Sequence, residues 1–228
     1  MALDRMFTMT HVASPVRRRR LLLIVTSALG GIAASPAVAQ TVPVPPVLPT
    51  RATVDSVQTN LLGSDPRITS PNGNLNVELR ANNTVINWKG FNIPRDQAAN
   101  FENGTASSNI AVLNRDISSN TSQLLGKLTS SPGVAVWVMN ANGIVVGPRA
   151  NFTTGSLVLS TLDVTDTDFL DGGSNYRLSS GMNGAGSMSA ITVASGAQMT
   201  VEGGNRGLIM IAPRIEADGV FQAKGQDV

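Results

Sequence analysis

The sequence predicts an all-β chain of many short strands, and its pattern allows either a right-handed parallel β-helix or a β-sandwich. Three observations carry this. First, Gly, Ser, Asn and Thr make up 81 of the 228 residues and charged residues only 14%, with Val, Ile and Thr interspersed among Gly and Asn, which is strand-and-turn composition. Second, from about Asn72 onward apolar runs of three to six residues alternate with Gly, Asn and Asp, and no apolar stripe of helical length intervenes. Third, an apolar-polar-apolar-charged-Gly pattern at 199–203 returns at 221–225, 22 residues later, with a weaker copy at 151–155. A period near twenty suits one turn of a parallel β-helix, in which inward side chains of successive turns stack.

The chain opens with an export signal. Arg5, Arg17, Arg18, Arg19 and Arg20 stand in the first twenty positions beside one acid, Asp4. The apolar run 21–34 follows, Ser35-Pro36 breaks it, and Ala37-Val38-Ala39 supplies the small-x-small site that a signal peptidase cuts. The run is shorter than the ~20 residues that span a bilayer, so 1–39 reads as a cleavable signal peptide and not a retained anchor. The residues that accompany a twin-arginine motif are missing, which favours the general secretory route. Beyond the signal, 12 basic residues face 14 acidic ones, a dispersed and mildly acidic surface with no footprint for nucleic acid.

Cleavage removes His11, the single histidine, and the sequence has no cysteine. A mature chain without His or Cys excludes a Ser-His-Asp triad, a Cys-His pair and a His/Cys zinc site; no cofactor and no metal is expected. A cysteine-free chain also fits passage through an oxidising periplasm, and burial and backbone pairing must then hold the fold together.

Residues 41–49, TVPVPPVLP, form an extended proline-rich spacer that cannot enter a central strand. Strands are expected at 84–88, 110–113, 134–139, 144–146, 157–159, 191–193, 199–201, 208–211 and 221–223. Ser122 to Leu128, SQLLGKL, is the one plausible helical turn, interrupted by Gly126.

Four segments carry a resemblance. Val85 to Ile93, with Asn87, Trp88, Phe91 and Asn92, is similar to an "I-N-W-x-x-F-N-I" strand, and Ala99-Asn100-Phe101 to the "V-x-F" that follows it. Ala111 to Arg115, containing Asn114, resembles "V-L-N-R", and 122–128 resembles "S-Q-I-x-G-x-L". Val136 to Gly147, with Asn140, Ala141, Asn142, Gly143 and Ile144, resembles the signature "v-x-l-x-N-P-N-G-I-x-x-G". Gly155 to Thr161 resembles "G-G-L-x-x-S-T", leading into an Asp-rich strand ending at Asp168-Phe169; 207–213 and 219–221 match later rungs. In this order the segments resemble the filamentous haemagglutinin N-terminal domain, the two-partner secretion or TpsA-type domain. The resemblance covers 72–228 and implies a right-handed parallel β-helix with an N-terminal β cap and extra-helical strands, the spacer and start of the cap lying in 40–71. Ala141 stands where the signature has proline, so that turn loses a fixed φ. The family's "N-P-N-L" has no clear counterpart; Asn72-Gly73-Asn74-Leu75 is similar in letters and no role is carried onto it.

Several constellations have plainer readings. The 140–143 segment suits a sharp corner, because Asn and Gly tolerate left-handed backbone and Asn side chains satisfy loose backbone groups; it reads either as a structural turn or as a surface used in secretion. Asp163, Asp166, Asp168 and Asp171 lack the glycine and distal glutamate of a calcium loop and read as a solvated strand end. Gly181, Gly184 and Gly186 lack a following Lys-Ser/Thr and a helix, so they read as a loop and not a phosphate cradle. Asn-x-Ser/Thr triplets at Asn82, Asn103, Asn120 and Asn151 imply no glycosylation in so Asn- and Thr-rich a chain.

The resemblance implies a non-enzymatic N-terminal secretion domain of an adhesin or haemagglutinin-like exoprotein in a Gram-negative envelope, ending secreted or at the cell surface. Its partner would be an outer-membrane β-barrel transporter (TpsB-type) with POTRA-type periplasmic receptor domains. The chain is expected to be monomeric and to lead a longer exoprotein, or to be a truncation of one, whose downstream part would meet a host-cell or carbohydrate ligand. Two alternatives stand beside this: the N-terminal part of a contact-dependent growth-inhibition toxin or haemolysin, and a carbohydrate-acting β-helix enzyme using Asp163 or Asp166 with Arg149 or Arg177.

Overall fold

The computed structural model describes residues 52–173, 175–180, 189–202 and 207–224 in full, and residues 7–8 and 25–26 by their backbone. The signal peptide, its cleavage residues Ala37 and Ala39, the spacer 41–49 and the glycines between 181 and 186 lie outside the fully described chain.

Short runs of Val, Ile, Leu and Phe separated by turn residues cannot bury their apolar side chains alone, so each must stack on the next. The result is a parallel β-solenoid of about six turns; the sandwich alternative is not what the chain forms. The turns visit three sheets in a fixed order. Sheet 1 stacks Leu75–Leu79, Ala98–Asn103, Lys127–Ser130, Asn151–Thr154, Gln198–Glu202 and Val220–Lys224, all parallel. Sheet 2 stacks Asn83–Trp88, Ile110–Asp116, Val134–Met139, Ser156–Ser160 and Leu208–Ile211 in the same sense. Sheet 3 stacks Ser122–Leu124, Ile144–Val146, Ala190–Val193 and Arg214–Ala217.

The strong sequence repeat is the register of sheet 1, Met199 to Glu202 pairing residue for residue with Phe221 to Lys224, whereas the weaker copy at 151–155 lies in the same sheet one residue out of step, Asn151 pairing with Gln198. Phe152 pairs with Met199, and Met199 with Phe221, extending an inward column that includes Ala99 and Leu128. Sheet 2 supplies Val112, Val136, Leu157 and Leu208 to the same interior, and sheet 3 supplies Leu124, Val146 and Val193. Rungs about 4.8 Å apart bring these side chains into contact along the axis.

Two antiparallel strands close the N-terminal end. Val54–Thr59 pairs with Asn83–Trp88, and Arg67–Thr69 with Leu75–Leu79. Each covers a row of backbone groups that would otherwise stand open to pairing. Sheet 3 has no such strand among the described residues; its first rung is a bridge between Ile93 and Leu124.

Sheet 2 is buried on both faces, as the unbroken apolar run Val134–Met139 requires. Its outer cover comes from an excursion between Ser160 and Ala190 that holds the strands Asp163–Val164 and Arg177–Ser179, paired antiparallel, and the helix Asp166–Leu170. Val164, Phe169, Tyr176 and Leu178 from the excursion cluster with Val85, Leu113, Trp137 and Val158 of the sheet.

Two local expectations are corrected. Ser122 to Leu128 is not helical: Ser122–Leu124 and Lys127–Ser130 are strands of two different sheets. Gly126 turns the corner between them, where an added Cβ would lie 2.2 Å from the carbonyl oxygens of both Pro94 and Gln97. The Asp-rich segment is not a strand through to Phe169. It becomes helical at Asp166 because the Thr165 side chain accepts a hydrogen bond from the Asp168 amide, and Asp166 and Asp168 place negative charge in the first turn.

Candidate functional site

The signature residues form the corner at which the chain leaves sheet 2 for sheet 3. Asn140 follows Val134–Met139 and is 1% exposed. Its side-chain amide donates to the Asn120 carbonyl and to Ser122 Oγ, both at 2.9 Å, so it binds the preceding turn of the solenoid. Its own Oδ1 accepts from the Asn142 amide at 2.8 Å, and its carbonyl accepts from Gly143 N at 3.0 Å, which closes a four-residue turn. Asn142 Nδ2 donates to the Ser118 carbonyl at 2.8 Å. Gly143 has φ 106°, a conformation that disfavours any side chain. Ala141 fills the second turn position, its carbonyl accepting from Ser189 Oγ. Ile144 begins the next strand, fully buried.

The corner continues toward the cap as one buried chain of hydrogen bonds. Ser122 Oγ, which accepts from Asn140, donates to Asp116 Oδ2 at 2.6 Å, and that carboxylate also accepts from the Phe91 amide at 2.9 Å. Three successive turns are thereby joined through Asp116, a residue sequence reasoning did not single out. A lone acid directly after the "V-L-N-R" segment and two residues before Ser118, whose amide it caps at 2.9 Å, was the available signal. Asn92 adds a parallel link, its Oδ1 accepting from Gln123 N at 2.8 Å.

The remaining motif residues divide between the inner and outer faces of sheet 2. Trp88 and Phe91 are fully buried in the interior with ring centres 5.4 Å apart. Trp88 Nε1 donates to Asn114 Oδ1 at 3.1 Å, and Asn114 Nδ2 passes the chain on to the Trp137 carbonyl at 3.2 Å. On the outer face Arg115 is held by four acceptors: Asp163 Oδ1 at 2.9 Å, Asp166 Oδ1 at 2.6 Å, the Val164 carbonyl at 2.7 Å and Asn87 Oδ1 at 2.9 Å. Burial opposes its charge, but the two carboxylates outweigh burial and hold the guanidinium pKa above its ordinary value. Gly147 lies at the corner into sheet 1, where a Cβ would come within 2.7 Å of the Leu125 side chain. In the 72–75 segment Asn72 has φ 51°, and Asn74 Oδ1 accepts from Ala98 N at 2.9 Å, making another asparagine corner.

Asp163 and Asp166, the acids of the enzymatic alternative, are thus both engaged by Arg115, while Arg149 and Arg177 stand exposed. Among the described residues no three His, Cys, Asp or Glu side chains gather to hold a metal ion.

A capped β-solenoid whose buried polar residues serve corners and clamps is the class of molecule defined here. Residues 55–226 match the family model of the TPS secretion domain, and the chain belongs to that family. It is similar in structure to the HMW1 secretion domain from Haemophilus influenzae, with a TM-score of 0.62 and 23% identity over 75% of this chain and 42% of that one. This chain therefore spans less than half of that structure's length, and the likeness is one of fold. No curated protein matches the sequence.

Proposed function

We propose that residues 55–226 are the export-determining region of a protein that leaves a Gram-negative cell by two-partner secretion. The observation that carries this is the family match over 55–226. After signal cleavage the chain crosses the periplasm unfolded and is received by POTRA-type domains of an outer-membrane β-barrel transporter. Reception of an extended chain by strand addition suits a sequence made of short strand-forming runs. Parallel rungs stabilised by stacking on the rung before favour folding that starts at the capped end and propagates, and folding outside biases passage outward without ATP. The mature product is a secreted or surface-exposed, adhesin-like exoprotein with no catalytic role for this region; the engagement of Asp163 and Asp166 by Arg115 weighs against the carbohydrate-acting alternative. A toxin carrying the same region would present the same solenoid, its difference lying elsewhere in the protein.

Asn140, Ala141, Asn142, Gly143 and Ile144 are assigned to the step in which the chain is recognised or first folds. The test is secretion into the medium from cells with and without a cognate barrel transporter, for wild type and for Asn140→Ala and Asn142→Ala. The reading expects wild-type export to need the barrel and Asn140→Ala to reduce it. Export without the barrel would overturn it, and unchanged export of both variants would return the corner to a purely structural role.

A further inference from the structure

We infer that the excursion 163–179 is a staple that makes the cap and the sheet 2 strands 83–88, 110–116, 134–139 and 156–160 one cooperative unit, so that this end of the solenoid closes as a block and not turn by turn. In a simple solenoid each turn touches only its neighbours, and contacts stay short in sequence. The excursion breaks that rule. Asp166 Oδ2 accepts from Gln58 of the cap, 108 residues earlier. The Leu170 carbonyl accepts from Asn83 Nδ2 at 3.1 Å, 87 residues earlier. Asp163 and Asp166 both reach Arg115, 48 and 51 residues earlier. Gly172, with φ 66°, lies so close to Asn83 that a Cβ there would meet the amide nitrogen at 2.4 Å, so the return is tightly fitted.

What the staple covers explains why the block is indivisible. Val85, Leu113, Trp137 and Val158 come from four successive strands and are essentially unexposed beneath Val164, Phe169, Tyr176 and Leu178. Trp137 meets Phe169 at 5.4 Å and Tyr176 at 4.9 Å between ring centres, both edge-on. Stacked turns lacking the excursion would show water a continuous apolar face four strands wide, and Arg115 would lose three of its four acceptors. During outward export the block would close only after the excursion had emerged; that consequence rests on the function proposed above, whereas the cooperative unit itself does not.

Site-resolved amide hydrogen exchange on the purified full chain tests the staple without any transporter. In the wild type, amides of Val54–Thr59, Asn83–Trp88, Ile110–Asp116 and Val134–Met139 should share one opening equilibrium. Asp163→Asn with Asp166→Asn keeps shape and removes the paired charges. It should speed exchange in all four strands by a common factor of roughly ten to a hundred, leaving Val220–Lys224 unchanged. Glu202→Gln, which breaks the exposed pair with Lys224, should leave all four strands unchanged. Acceleration confined to 163–179, or a wild-type cap that opens separately from Val134–Met139, would overturn the staple. The wild-type measurement decides the matter even if the double variant does not fold.

Discussion

Asn140 donates both amide hydrogens to the turn before it and uses its oxygen to hold its own corner shut. Truncating it to alanine leaves the Asn142 amide without its acceptor and removes both donors to the preceding turn, while Ser122 keeps its bond to Asp116; Asn140→Ala should cost about 2–4 kcal/mol of unfolding free energy in urea. Asn142→Ala, at a half-buried position, should cost less. The alanine at 141 departs from the family signature, yet the Gly143–Asn140 hydrogen bond puts Ala141 where proline's φ is favoured. Ala141→Pro should therefore stabilise by about 0.4–1 kcal/mol, chiefly by restricting the unfolded chain; a lower urea midpoint would show that this turn cannot take the proline. At Gly126 the carbonyl oxygens of Pro94 and Gln97 leave no room for a methyl group, and Gly126→Ala should cost about 3 kcal/mol. The corner at 140–143 was legible in the sequence because Asn and Gly are needed for local reasons. Asp116 was not, because its partner Phe91, 25 residues earlier, is brought to it by the stacking of one turn on the next and not by spacing along the chain.

Among elements, the excursion separates what sequence pattern shows from what only three dimensions show. The run VAVWVM announces a strand buried on both faces, since no alternation survives in it. It does not say what lies over the outer face. The cover is assembled from a five-residue helix and two short strands, too short for periodicity, and its anchor joins Arg115 to acids 48 and 51 residues away. Those acids looked solvated in sequence for the same reason. Arg115→Met retains the apolar stem but leaves Asp163 and Asp166, 23% and 29% exposed, without their cation; the cost should be about 2–4 kcal/mol. The sign of its pH dependence follows from the raised guanidinium pKa. Stability from the arginine's charge is full below its unfolded-state pKa and fades only as pH climbs through the higher folded value. The gap in urea midpoint between wild type and Arg115→Met should therefore be the same at pH ~7 and pH ~10. A gap that shrinks across that window would mean that the clamp does not hold its proton as this geometry requires.

For the whole molecule, the architecture was readable because a solenoid repeats its demand: the same inward column must be apolar in every turn, and the repeated segments proved to be adjacent rungs in register over 199–202 and 221–224. The turn order and the cap were not readable from that pattern, since an antiparallel strand such as Val54–Thr59 looks like any other short run. The proposed export route requires that this interior does not exist until the chain has left the cell. Val136 probes it directly, being fully buried in the central rung of sheet 2 of a protein that has no cysteine of its own. In Val136→Cys, the thiol should react readily with a small maleimide while the exported protein is in the periplasm and be protected once it is in the medium. A thiol already protected in the periplasm would contradict the account, because the solenoid would then have formed before transport.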